Sequence, residues 1–365
     1  MRVTTAILTG GGEGTRLHPI TQNRNKHMVP VGNQPMIFHA IETAVEAGIN
    51  TIYINLNPGE TELQKHIGDG GHWGIDIEYF QQEGGPQGLA HVVKQGEDLV
   101  KNEPFLFYLS DNIFLDGIEE LVEEFESGKY DCMLALSEVE EPERYGVPKF
   151  HPEKEDQLAD VLEKPDEPPN NFAVTGAYVY GPEIFFDAFE EIEKSERGEY
   201  EISDIHSRFI DKGKKVGYKE VTGWWTDTGK PPALLEANKM VLDDMEEEKF
   251  PKNGLIDEGA TIKGNVHIGV GTKVGPNVRI DGPVIIGENC QLKDCRIGPY
   301  VTVGTGVEIE EASVTNSVVL SNSELKIDMD ITSSLVGEKV SVKHKKQERE
   351  KARKMLLGDK TEIEI

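Results

Sequence analysis

Cysteine is scarce in this chain: Cys132, Cys290 and Cys295 are the three found in 365 residues. Three thiols give no disulfide framework, and they lack zinc-site spacing and neighbouring histidines, so a reducing, cytoplasmic setting is expected. Positive charge is also short. Lysine and arginine total 38 against 66 aspartates and glutamates, leaving a formal charge of -28, which disfavours nucleic acid as a partner. No apolar run is long enough for a transmembrane helix, so no membrane association is expected. The amino terminus passes straight into an apolar stretch, without the basic-then-apolar order of a signal peptide. What remains, 37% hydrophobic and 28% charged residues, suits a soluble globular protein long enough for two domains.

Against this acidic background the segment from Leu8 to Thr21 is distinctive: Leu-Thr-Gly-Gly-Gly-Glu-Gly-Thr-Arg-Leu-His-Pro-Ile-Thr, followed by Lys26 and Pro30. Ahead of Pro30 the sole carboxylate is Glu13, facing Arg2, Arg16, Arg24 and Lys26. Glycines after a strand let backbone N–H groups approach a phosphate chain, and Arg16 and Lys26 add fixed positive charge. A locally basic glycine loop in an acidic protein points to an anionic ligand. It is not a dinucleotide fingerprint, because Gly10 and Gly12 fit but position 15 is threonine. It is not a P-loop either, since no Gly-Lys-Ser/Thr follows at the required gap.

Strand and helix signals alternate through the first two-thirds of the chain. Strands are expected at Val3–Leu8, Thr51–Leu56, Phe105–Leu109 and Cys132–Leu136, and helices at Pro35–Gly48, Glu60–Ile67 and Ile118–Phe125. Such alternation implies a mostly parallel sheet with helices on both faces, and ligands then bind beyond the carboxyl ends of the strands. From about residue 252 the texture changes. Aliphatic residues recur every sixth position at Ile256, Ile262, Ile268, Val274, Ile280, Ile286 and Leu292, and after a one-residue slip at Ile297, Val303 and Ile309. Small residues stand four places after each of the early ones: Ala260, Val266, Thr272, Val278, Val284 and Cys290. This is the hexapeptide repeat of a parallel β-helix, of which the known family is left-handed. Repeat stacks expose faces suited to self-association, so a homo-oligomer is expected. His267, the only histidine of the repeats, is a weak candidate for a second catalytic site. The expected division is 1–245, 253–342 and a charged tail 343–365.

Gly-Gly-x-Gly-Thr-Arg-Leu-x-Pro-x-Thr with a lysine ten residues after the arginine resembles the signature of the sugar-1-phosphate nucleotidyltransferases. Seven further segments match in order: Gln82–Ala90, Leu109–Asn112, Arg144–Val147, Leu162–Pro165, Ala173–Gly176, Arg197–Asp204 and Trp224–Lys230. With the β-helix they resemble the long thymidylyltransferase branch of that family. The resemblance implies an α/β, Rossmann-like nucleotidyltransferase fold with a mixed, mostly parallel sheet, followed by the left-handed β-helix. It implies Mg²⁺-dependent transfer of a nucleotidyl group from dTTP to glucose 1-phosphate. Gly11, Gly12, Gly14, Thr15, Arg16, Gln82, Gly88 and Asp111 would then contact nucleotide. Lys26, Leu89, Tyr145, Gly146, Glu163, Lys164, Val174, Tyr178 and Trp225 would line the sugar-phosphate site. Asp111 and Asp227 would hold the metal, and Arg16, Lys26, Asp111 and Asp227 would carry the chemistry.

Two alternatives stay open on the residues alone. One is UTP in place of dTTP, since the two bases differ by one methyl, and such a pocket discriminates by only about 1–3 kcal/mol. The other is a non-catalytic sugar-nucleotide sensor, against which the joint presence of Arg16, Lys26, Asp111 and Asp227 speaks. Three positions depart from the family pattern: Gly10 for alanine, Gln34 for lysine and Ser110 for glycine.

Overall fold

The computed structural model describes residues 1–343 other than 13, 155, 247 and 248; the charged tail expected beyond Lys343 lies outside the described residues. Seven strands form the central sheet: β1 (Thr5–Thr9), β2 (Thr51–Leu56), β3 (Asp76–Gln81), β4 (Phe105–Tyr108), β5 (Cys132–Glu138), β6 (Phe172–Tyr180) and β7 (Val216–Glu220). Their order is β7-β5-β6-β4-β1-β2-β3. All neighbours are parallel except β6, which runs antiparallel to both β4 and β5. Side chains alternate between the faces as a pleated strand requires. Ala6, Leu8, Leu106 and Tyr108 point to a core under the helices Met36–Glu46 and Glu119–Glu126. Ile7, Phe105 and Phe107 point to the opposite core, under Leu89–Gln95 and Ile202–Asp211. The helix Met36–Glu46 buries Met36, Ile37, Ala40, Ile41 and Ala44 along one stripe and stops before Gly48, whose φ of 91° is incompatible with further helix.

After the helix Pro231–Asp244 the chain winds into three parallel sheets of six, five and five short strands. Leu255 pairs with Lys273 and Lys273 with Gln291, so these coils hold 18 residues, three hexapeptides each. Later coils shorten to 17, 16 and 17, as Gln291, Glu308, Glu324 and Ser341 pair in turn. The expected slip after Leu292 is the corner Asp294-Cys295, tightened by a φ of 48° at Asp294. A second contraction falls at Asn316, which alone joins its two strands. The repeat residues Ile268, Val274, Ile280, Ile286, Leu292, Ile297, Val303 and Ile309 fill one buried column with Cys290 and Cys295. Ile262 is only partly buried and Ile256 is exposed, because their coil ends the stack. The architecture is a parallel β-helix consistent with the left-handed form.

The β-helix is joined to the sheet-bearing part along the helix Pro231–Asp244. Leu234, Leu235, Ala237 and Val241 share a core with Leu17, Val29 and Val31 on one side and with Val318 and Leu320 on the other. At its centre the buried Asn238 Oδ1 accepts two hydrogen bonds, from Gly32 N at 3.0 Å and from Thr302 Oγ1 at 2.7 Å. Asn238→Ala leaves both donors unpaired in an apolar setting and is expected to cost about 2 kcal/mol; denaturant unfolding of the variant measures it.

Candidate active site

The crevice lies where the parallel strands end. β1 runs into Gly10, β2 into Asn55 and Asn57, β3 into Gln82 and β4 into Asp111. Gly10 is required by crowding: a Cβ there would stand 2.7 Å from Asn55 O. Gly14, with φ 59°, turns the loop into the single helical turn Thr15–Leu17. Three asparagines hold the loop. Asn55 Oδ1 accepts from Gly10 N at 2.9 Å, Asn25 Nδ2 donates to Gly10 O at 2.8 Å, and Asn57 Oδ1 accepts from Gly12 N at 3.1 Å. Thr21 Oγ1 donates to Gly14 O at 2.6 Å. Gly10, Gly12 and Gly14 are thereby each held by a side chain from outside the glycine run.

Lys26 Nζ meets Asp111 Oδ2 at 2.6 Å. Burial alone would raise the Asp111 pKa, but Lys26, His27 and the Asn112 amide pull it well below the carboxylate range. The turn that presents Asp111 is locked. Ser110 N donates to Thr9 Oγ1, and Thr228 N and Oγ1 both donate to Asp111 O. Asp227 stands on the strand Trp225–Asp227, paired directly opposite Asn112. Its pKa is raised by burial and by the charge of Asp111, against the pull of Gly229 N–H, Arg16 and Lys26. A Cβ on Gly229 would lie 3.1 Å from Arg16 Nη2 and 2.9 Å from Asp227 Oδ1, so the guanidinium sits beside that carboxylate. His27 is buried and its pKa is lowered to about 3 by burial and Lys26, so its ring is neutral. Among the described residues its Nε2 and the Ser110 hydroxyl have no hydrogen-bond partner.

The carboxylate pair fits a hard divalent ion. Asp227 is held at an electrostatic cost that a shared cation relieves, and oxygen donors are what Mg²⁺ takes. Among the described residues no group of three or more His, Cys, Asp or Glu gathers to cage a metal. Two carboxylates leave the remaining positions to substrate oxygens and water, as is usual for Mg²⁺.

The expected sugar-side residues converge on the same crevice. Tyr145 packs edge-on to Trp225 at 5.7 Å, and Gly146 pairs with Glu163 across two antiparallel strands. Glu163 accepts from Ser203 Oγ at 2.6 Å and meets Lys164 at 2.9 Å and Arg197 at 2.8 Å. Burial opposes its ionisation, but these partners lower its pKa, and it is charged. Val174 is buried on β6, and Tyr178 lies beneath the site, stacked on Phe107 and His206, with little exposed surface. Of the residues expected to contact the nucleotide, Gln82 is buried with its Nε2 3.5 Å from His91 Nδ1. Gly88 opens the helix Leu89–Gln95 with φ 97°, against Tyr200. Gln34, where lysine is usual, turns away to Glu42 at 2.6 Å.

Asn112 joins the two halves, a role its place in the Ser-Asp-Asn segment did not disclose. Trp225 Nε1 can only donate, so it fixes Asn112 Oδ1 at 2.8 Å and leaves Asn112 Nδ2 to donate to Asp111 Oδ1 at 3.1 Å. Arg197 was visible within a matching segment but carried no assigned role. Asn25, Asn55 and Asn57 had no motif to mark them.

The raised pKa of Asp227 has a stability consequence. A carboxyl that holds its proton more tightly folded than unfolded destabilises the fold increasingly as pH rises from its unfolded to its folded pKa and fully above that, and has no effect when protonated in both states. Asp227→Asn is therefore expected to raise the melting temperature of the metal-free protein at neutral pH, the difference vanishing below about pH 4. Added Mg²⁺ should raise the melting temperature of the wild type more than that of the variant. Thermal scans in chelator and in Mg²⁺, across pH, measure both.

Residues 5–244 match the family model described as nucleotidyl transferase. The chain is 36% identical to the low-salt glycan biosynthesis nucleotidyltransferase Agl11 of Haloferax volcanii, covering 98% of this chain and 99% of that protein. It is 34% identical to a glucose-1-phosphate thymidylyltransferase of Streptomyces antibioticus, covering 99% of each. A crystal structure of UDP-glucose pyrophosphorylase with UDP-glucose superposes with a TM-score of 0.59 at 25% identity, covering 67% of this chain and 100% of that one. The glycine loop, the paired carboxylates and these likenesses agree: the chain belongs to the nucleotidyl transferase family and is a sugar-1-phosphate nucleotidyltransferase.

Proposed function

We propose that the protein transfers the nucleotidyl group of dTTP to glucose 1-phosphate, giving dTDP-glucose and pyrophosphate. The observation that supports the choice of nucleotide is likeness in sequence: the chain is 34% identical to the Streptomyces antibioticus thymidylyltransferase over 99% of both chains, against 25% identity to the UDP-glucose pyrophosphorylase over 67% of this chain. UTP is the second reading, favoured by that same structure with its uridine sugar.

A phosphate oxygen of glucose 1-phosphate attacks the α-phosphorus, and the bond from that phosphorus to the bridging oxygen breaks as pyrophosphate departs. One in-line displacement needs position and charge more than a covalent nucleophile. Gly11, Gly14 and Thr15 offer backbone groups to the triphosphate, Gly12, held by Asn57, lets it approach without a side chain in the way, and Arg16 neutralises charge building on the leaving pyrophosphate. Lys26 exchanges its contact with Asp111 for the two phosphates it brings together. Asp111 and Asp227 are the residues to hold Mg²⁺, which when bound supplies further neutralisation of the phosphates. Gln82 and Gly88 face the base, with Leu89 between base and sugar. Glu163 accepts from sugar hydroxyls, Lys164 and Arg197 balance its charge beside the sugar phosphate, and Tyr145, Gly146, Val174 and Trp225 shape the pocket over Tyr178. Residues 1–245 form the catalytic unit and 253–342 the assembling β-helix, through which we propose the subunits associate. Among the described residues no helix is long and apolar enough to cross a membrane.

Pyrophosphate release with Mg²⁺, glucose 1-phosphate and each of dTTP, UTP, ATP, CTP and GTP is expected to be fastest with dTTP; preference for UTP moves the protein to the second reading. Asp111→Asn should lower turnover about a thousandfold with the fold unchanged, a loss of the size seen when a key charge-stabilising group is removed. Retained nucleotide binding with no turnover in the wild type would make the protein a sensor.

A further inference from the structure

The segment Gly14–Pro30 supplies Arg16, Arg24 and Lys26 and contains no carboxylate. Its counter-charges come from distant parts of the chain. Asp111 faces Lys26, and Glu338 faces Arg24, with Nη2 and Oε2 2.8 Å apart. Glu338 follows the strand Leu335–Val336 on a late coil of the β-helix, 314 residues from its partner. Beside this ion pair, Ile20 and Leu335 pack into the apolar cluster that also contains Leu17, Val318 and Leu320. The backbone approaches closely as well, since a Cβ on Gly337 would lie 3.5 Å from Ile20 Cδ1. One end of the β-helix thus holds the loop through a charge and an apolar contact.

On its other side the loop is held by Asn25, whose side chain donates to Gly10 O and whose backbone N–H donates to Glu62 Oε2 at 2.7 Å. Arg24, Asn25 and Lys26 are consecutive. One is tied to the β-helix, the next to the glycine turn and the third to Asp111. A displacement of Arg24 is therefore carried directly to the two groups that define the anion site.

We infer that Glu338, together with Leu335, is a positioning residue through which the β-helix sets the geometry of the phosphate-binding loop. The inference rests on the reading of that loop as the triphosphate site. An ion pair exposed to this degree adds little to global stability, so its effect is local to the loop. By linkage, a triphosphate seated on the loop tightens its contact with the coil to the same degree that the coil improves binding.

The test uses the full chain as wild type, Glu338→Gln, Arg24→Gln, the double variant and Leu335→Ala. Two quantities are read: hydrogen exchange across residues 14–30 without ligand, and KM for dTTP and for glucose 1-phosphate. Glu338→Gln is expected to speed exchange and raise KM for dTTP about two- to fivefold, with a smaller rise in KM for glucose 1-phosphate, whose phosphate Lys26 also meets, as suits loss of one partly exposed pair. Leu335→Ala should act in the same direction. The double variant should match either single variant, because both remove one contact. Wild-type exchange in Glu338→Gln overturns the inference, and so do single effects that multiply in the double variant. Exchange needs no substrate. Faster exchange in a protein that turns over no nucleotide would leave the positioning intact and defeat the proposed function; normal dTTP turnover with unchanged exchange and KM would do the reverse.

Discussion

Everything in the crevice is arranged around one largely buried ion pair, Lys26 on Asp111. A carboxylate as enclosed as Asp111 stays ionised because a cation lies against it, and breaking such a pair leaves an uncompensated charge in a poor solvent. Asp227 then adds a second carboxylate next to the first, and its pKa is raised by burial and by that neighbour. The protein keeps this arrangement by fixing every surrounding backbone. Thr228 and Thr9 lock the turn of Asp111, and Asn112 aims its carboxylate through the indole of Trp225. The resulting site sets two carboxylates against Lys26 and Arg16 of the loop, so that a cation taken by the first and a polyphosphate taken by the second suit it when they arrive together.

Rigid surroundings are the second requirement, because displacement at a phosphorus depends on holding two anions in line. The loop that receives them is glycine-rich and would be mobile alone. Asparagine side chains clamp it, Asn55 from the sheet and Asn25 from the following turn, and the β-helix supports it from outside through a shared apolar core. The helix Pro231–Asp244 belongs to both structures at once: Asn238 ties Gly32 near the loop to Thr302 on the β-helix. The repeat stack is therefore part of the mechanical frame of the site.

Local signals in the sequence carried much of this. The helix ending before Gly48 and the strand Thr51–Leu56 fall where their patterns predict, because propensity and burial agree there. The period of six was legible while coils stayed at 18 residues, and it blurred where Asp294 and Asn316 shorten the corners, since turn geometry leaves little trace in hydrophobic spacing. The reversal of β6 between β4 and β5 was not legible, because an apolar strand buried on both faces reads the same in either direction. Glycines and charges of the candidate site were marked by their motifs. The asparagine clamps and Glu338 were not, because their partners are set by tertiary folding across tens to hundreds of residues.

The most direct measurement is a crystal of the protein grown with Mn²⁺ and the nucleotide sugar, read by anomalous scattering. The account predicts a Mn²⁺ peak shared by Asp111 and Asp227 beside the phosphates, with Lys26 drawn from Asp111 towards the nucleotide. A bound nucleotide with no metal at these two carboxylates, and Lys26 still on Asp111, would contradict it.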